Sequence, residues 1–181
     1  MNCPLCKTAN LEKVLLEAEL PSLKCDGCGG NWVSGSVYWN WLETHRHRSP
    51  VAELPVDEPV IDVEKAKLCP ECRRIMVKYW VGHGIAFALD HCPSCRGIWF
   101  DRNEWDVLKS RNLHDTINSI FTAPWQSEVE REHRRKEAEL SSLNKFGAED
   151  YAEMKRIRRW LNQHPRREEI LAYLSNVNPL D

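Results

Sequence analysis

The chain has 181 residues, 42% of them hydrophobic, with 25 Lys and Arg against 27 Asp and Glu and a formal net charge of −2. This balance excludes a global basic field of the kind that drives non-specific nucleic-acid binding, so any such role must rest on a local patch. Apolar runs such as Ile85 to Leu89 are too short to span a bilayer, and the N-terminus has no basic segment followed by an apolar run, so neither a membrane anchor nor a signal peptide is expected.

All eight cysteines fall into four Cys-x-x-Cys pairs. The first set is Cys3, Cys6, Cys25 and Cys28, with residues 7–24 between its pairs; the second is Cys69, Cys72, Cys92 and Cys95, with residues 73–91 between. That spacing reads as two tetrahedral four-thiolate metal sites. Each set, with the short helix expected after it, spans only about 40–45 residues, too few to fold on apolar burial alone, so a bound metal is the expected staple. A chain without disulfides and with thiols kept reduced is expected in the cytoplasm.

Within the first set, Val14 to Leu16 and Leu20 to Lys24 are candidate strands, interrupted by Pro21. After Cys28 the chain reads Gly29-Gly30-Asn31-Trp32-Val33-Ser34, and after Cys95 it reads Arg96-Gly97-Ile98-Trp99-Phe100-Asp101. The glycine two residues past the cysteine is expected where the backbone turns tightly around a metal, and each indole is expected to shield a site from water. Ser34 and Asp101 are predicted helix N-caps, with Glu104 completing a capping box in the second copy and Val37 in the equivalent place of the first. Short helices are predicted over residues 36–46 and 103–111. His45 to Arg48 reads as a solvated basic helix end.

Residues 49–66 carry Pro50, Pro55 and Pro59 among acidic residues and read as a semi-extended linker. In the second set, Ile75 to Val81 and Ile85 to Asp90 flank Gly82-His83-Gly84 and predict a β-hairpin. His83 reads as a turn residue, and His91 as a neighbour of the second site rather than a ligand.

The pattern Cys-Pro-x-Cys, about nineteen residues, Cys-x-x-Cys-x-Gly-x-Trp-hydrophobic-Asp/Ser and then a short helix resembles the transcription-factor-IIB-type zinc-ribbon family. The resemblance covers residues 1–42 and 67–109. The first copy departs from it in lacking proline in Cys25-Asp26-Gly27-Cys28 and in having Val37 for the acidic residue; neither change touches a ligand. The resemblance implies a zinc-ribbon fold and a zinc ion, and little about activity. Two structural Zn²⁺ ions are the expected cofactors. Iron on four thiolates, as in a rubredoxin-like electron carrier, ranks below zinc. Four thiolates per metal leave no open position, and we find no nucleophile–base pair or phosphate-cradling loop, so catalysis and a small-molecule substrate are not expected.

Beyond residue 110 the chain turns helical. Leu113, Ile117, Ile120 and Phe121 share a helical face, and Pro124 punctuates. A helix over 125–146 is charged nearly all round in its middle and stops at Gly147. A helix over about 149–163 places Met154, Ile157, Trp160 and Leu161 on one face, and another follows Pro165 to form an α-hairpin with it.

The fold class is therefore a small metal-stabilised α+β protein: ribbon 1 (1–48), linker (49–66), ribbon 2 (67–110) and a helical arm (111–181). A non-enzymatic interaction or regulatory module is expected, with a protein as the favoured partner and DNA or RNA as the alternative. The candidate docking residues are Trp39, Trp41, Trp80 and Trp125 and the basic cluster Lys155, Arg156, Arg158, Arg159, Arg166 and Arg167.

Overall fold

The computed structural model describes residues 1–7, 9–17, 19–45, 60 and 62–176. Most of the expected linker, residues 49–59 and 61, lies outside these described residues, as does the basic run after His45. The chain forms two compact units, Met1–Glu132 and His133–Asp181.

In the first unit, β1 (Leu11–Glu17) and β2 (Leu20–Cys25) form an antiparallel hairpin, followed by β3 (Asn31–Val33) and helix α1 (Gly35–His45). The second cysteine set repeats the plan with β4 (Val77–Gly82), β5 (Ile85–His91), β6 (Ile98–Phe100) and α2 (Glu104–Ser110). Pro21 fits inside β2 because β3 pairs only with Leu23 and Lys24, so a donor is not required of it on that side. At the β4–β5 turn Gly82, His83 and Gly84 all take left-handed backbone, at φ of 70°, 51° and 85°.

The two ribbons share one six-stranded sheet in the order β1-β2-β3-β6-β5-β4. Its centre is the β3–β6 pair, with Asn31 opposite Phe100, Trp32 opposite Trp99 and Val33 opposite Ile98. The join is reciprocal. A Cβ on Gly30 would lie 2.3 Å from Trp99, and one on Gly97 would lie 2.1 Å from Trp32. Each of these glycines therefore makes room for the other ribbon's indole, a role beyond the expected one in the turn around a metal, where their amides face the sulfurs of Cys28 and Cys95. Gly97→Ala is expected to destabilise the metal-loaded protein by about 1–3 kcal/mol through overpacking. Thermal unfolding at fixed free zinc measures this, and an unchanged midpoint would contradict the packing.

The core on one side gathers Leu20, Val33, Leu89, Ile98 and Phe100 from the sheet with Tyr38, Trp41 and Leu42 of α1 and Trp105 and Leu108 of α2. Trp41 and Trp105 meet edge to face at 5.8 Å. The periodic run from Leu113 gives only a short helix, α3 (Ile117–Ile120), whose two isoleucines are buried in that core.

Helix α4 (Ala123–Phe146) begins in this unit, with Pro124 in its first turn, where a missing N–H costs no hydrogen bond. Its start covers the outer edge of β4. Gln126 pairs with Trp80 as a strand would, accepting from the Trp80 amide (3.2 Å) and donating to its carbonyl (2.9 Å). Trp125 Nε1 donates to the Val81 carbonyl (2.9 Å). These bonds occupy an edge that would otherwise invite another strand.

The second unit holds the rest of α4, helix α5 (Ala148–Gln163) and helix α6 (Arg167–Ser175). Gly147, at φ 80°, separates α4 from α5.

Candidate metal centres

Each Cys-x-x-Cys builds the same turn. The residue after its second cysteine takes left-handed backbone: Lys7 (φ 61°), Gly29 (75°), Arg73 (64°) and Arg96 (61°). That residue's amide donates to the first cysteine's carbonyl, at 2.9 Å in Lys7, 2.7 Å in Gly29, 3.0 Å in Arg73 and 2.8 Å in Arg96. The amide of the first cysteine is also bonded, with Cys25 donating to the Gly30 carbonyl and Cys92 to that of Gly97, both at 2.9 Å. Three non-glycine residues held at positive φ mark turns that their surroundings dictate.

The turns gather the thiols into two clusters, Cys3, Cys6, Cys25, Cys28 and Cys69, Cys72, Cys92, Cys95, with the sulfurs of each within 4.8 Å of one another. Sγ–Sγ distances are 3.6 Å for Cys3–Cys28, 3.8 Å for Cys6–Cys25, 3.5 Å for Cys69–Cys95 and 3.4 Å for Cys72–Cys92. A disulfide would need about 2.05 Å. A sulfur tetrahedron around a metal at about 2.3 Å has edges of about 3.8 Å, so the clusters fit such an ion. The Cys6 and Cys72 amides donate to the sulfurs of Cys3 (3.3 Å) and Cys69 (3.4 Å), the bonds that favour thiolate over thiol.

Burial works against four free thiolates. It pushes the Cys69 thiol up to about 11 and raises Cys28 and Cys95 further, while the Arg74 amide brings Cys72 down to about 7. Four ionised sulfurs at neutral pH thus require a bound cation. Trp32 and Trp99 pack in the same cluster as Cys3, Cys25, Cys69 and Cys92, and both indoles are buried.

A buried charge network supports the second cluster. Lys67 is 0% exposed, and its ammonium donates to Asp90 Oδ2 (2.5 Å), Asp101 Oδ2 (2.9 Å) and the Val63 carbonyl (3.0 Å). Burial alone opposes the ammonium, but the hydrogen bond to Asp90 and the charges of Asp101 and Asp90 outweigh it and hold Lys67 above its usual range. Asp101 Oδ1 accepts from Trp99 Nε1 (2.7 Å), and Oδ2 also accepts from the Val63 amide (2.9 Å). The carboxylate expected to cap a helix instead ties an indole to a lysine. The returning half of the capping box forms, with the Asp101 amide donating to Glu104 (2.8 Å).

Asp62, Asp101 and Glu104 also lie within 4.8 Å of one another. Protein donors already engage them, Ala88 N reaching Asp62 and Lys67 reaching Asp101, and burial pushes Glu104 well above the usual carboxylate range.

The expected docking residues divide. Trp41 is buried at 4% exposure in the helix–sheet core, a packing indole where a docking one is expected, so it is unavailable to a partner. Trp39 and Trp125 are half-buried against that core, and Trp80 is exposed. The basic cluster is largely neutralised, Lys155 by Glu139, Arg156 by Glu153, Arg166 by Glu169 and Arg167 by Glu168. Arg158 and Arg159 have no ion-pair partner among the described residues. Reasoning from sequence missed Lys67 and Asp90, because nothing in the pattern distinguishes a buried lysine from a solvated one.

Residues 68–111 match the family model described as a transcription factor zinc-finger, of the TFIIB ribbon type. No curated protein and no solved structure matches the chain. Among the described residues no helix is long and apolar enough to cross a membrane. Residues 68–111 are thus a zinc ribbon of the transcription-factor-IIB type, and the N-terminal four-cysteine cluster fits a second ribbon in tandem with it.

Proposed function

We propose that this chain is a non-enzymatic adaptor or regulator, built on two structural zinc sites, which binds a protein partner through its C-terminal helical unit. The observation that carries this reading is the sparse core of that unit. Among its described residues only Leu161 is buried, while Met154, Ile157, Trp160, Tyr173 and Leu174 are exposed, Trp160 at 51%. Helices with so little apolar burial gain most of their stability from whatever they pack against.

Zinc is favoured over iron because the second cluster lies in a match to a zinc-finger family. Four cysteines per cluster complete a tetrahedron, which is the pattern of a structural site rather than a catalytic one. A reducing compartment, the cytosol, keeps all eight thiols available. Protein is favoured over nucleic acid because four of the six cluster bases already face carboxylates.

The test is affinity capture from native lysate, with and without nuclease, comparing wild type with Trp160→Ala and with Arg158→Glu/Arg159→Glu. A partner is expected that survives nuclease and is weakened about tenfold or more by Trp160→Ala, since exposed tryptophans act as interface anchors. The double arginine variant is expected to weaken capture less and to leave zinc content unchanged. Capture abolished by nuclease, falling steeply with salt, would instead establish the nucleic-acid reading.

A further inference from the structure

We infer that the two metal sites load as a coupled and ordered pair, with the second site able to form alone and the first site dependent on it. The inference rests on both clusters holding metal. Coupling follows from the join at β3–β6. The indole of Trp32, in ribbon 1, fills the space over Gly97, whose carbonyl holds the Cys92 amide at 2.9 Å. The indole of Trp99, in ribbon 2, fills the space over Gly30, whose carbonyl holds the Cys25 amide at 2.9 Å. Each ribbon therefore supplies the wall against which the other's metal-binding turn closes. An ion that orders one turn fixes the strand presenting its indole to the other turn, which is the physical requirement for coupling between sites.

Order follows from a difference between the halves. In ribbon 2, Trp99 is tied through Asp101 to Lys67, which stands two residues before Cys69 and whose carbonyl accepts from the Met76 amide (2.9 Å); ribbon 1 has the matching backbone bond, from the Leu11 amide to the Met1 carbonyl (3.1 Å), so the halves differ in the Asp101–Lys67 tie. The indole, the strand ends and the first turn of that ribbon are thus bonded together internally. In ribbon 1 the place of Asp101 is taken by Ser34, whose hydroxyl meets the Ser36 hydroxyl at 3.5 Å, and among the described residues no carboxylate ties the Trp32 indole to its own ribbon. Both tryptophans are held through the backbone by their own ribbon, Trp32 opposite Leu23 and Trp99 opposite Asp90, but only the Trp99 indole is also hydrogen-bonded by its own ribbon.

The test loads the full chain with ¹¹³Cd, each site giving its own resonance, and titrates with a competing chelator. Wild type is expected to hold two ions. Cys28→Ser is expected to keep the second site's ion and release it roughly tenfold more readily, as a coupling of ordinary size predicts; Cys95→Ser weakens the first site by the same factor, and because that site is the weaker of the two it is expected to lose its ion at a chelator concentration at which Cys28→Ser still keeps its own. Trp32→Phe retains all eight cysteines and changes nothing in ribbon 2, yet is expected to release the second site's ion roughly tenfold more readily. Cys95→Ser with a first site as tight as wild type overturns the proposal, as does a second site unaffected by both Cys28→Ser and Trp32→Phe. Loss of both ions from Cys28→Ser overturns the order. Wild type that binds no ion overturns the metal reading itself, and is distinguishable from two ions bound independently.

Discussion

Removing the metal with a chelator at neutral pH is expected to unfold the six-stranded sheet. The central strands β3 and β6 have three residues each, and the core beneath them is largely cysteine and tryptophan. A structural zinc contributes on the order of 10–16 kcal/mol of apparent binding free energy, as much as the whole stability of an ordinary domain. Trp32 and Trp99, 2% and 0% exposed, should enter water, giving a red-shifted emission together with loss of strand signal in circular dichroism. Restoring zinc should reverse both changes. Acid should act in the same direction. Cys69, Cys28 and Cys95 are pushed upward by burial, so protons compete for their sulfurs, and metal-held stability present at pH 7.5 falls as pH drops. Native emission and strand signal retained in excess chelator would show that the fold does not depend on its clusters.

Lys67→Met is expected to be the most damaging substitution outside the cysteines. It leaves the carboxylates of Asp90 and Asp101, 2% and 3% exposed, without their shared ammonium. Removing one partner of a buried ion pair costs about 3–5 kcal/mol, because the remaining charge stays desolvated. Lys78 cannot substitute fully, since it reaches Asp90 only at 3.4 Å and also serves Asp62. Combining Lys67→Met with Asp90→Asn and Asp101→Asn should recover much of the loss, because no buried charge is then left alone. Thermal midpoints at fixed free zinc measure both variants. A Lys67→Met midpoint equal to wild type would show that the network contributes nothing to the fold.

The parts legible in the sequence were those written in local pattern. Four Cys-x-x-Cys pairs announce two clusters because a metal needs its ligands at short fixed spacing, and Gly82-His83-Gly84 announces the β4–β5 turn because it demands positive φ. The helices after residue 122 were legible from period and from Gly147. The union of the ribbons was not, because three-residue strands have no measurable period and their pairing spans nearly seventy residues. Gly30 and Gly97 are legible as part of the metal-binding turns, and their amides do face Cys28 and Cys95, but the indole each makes room for is not, since a sequence shows that space is needed but not what fills it. Asp101 satisfies the rule for a cap, yet Lys67 and Trp99 compete for its oxygens and win. Trp41 and Trp160 are both tryptophans on amphipathic helices, and only the packing of α1 on the sheet separates the buried one from the exposed one.

Metal content of the protein purified under reducing conditions is the most direct test of the central claim, that two four-cysteine clusters holding zinc build this fold. Native mass spectrometry with elemental analysis should find two zinc ions per chain and no disulfides. A metal-free folded chain, or a red protein carrying iron, would contradict it.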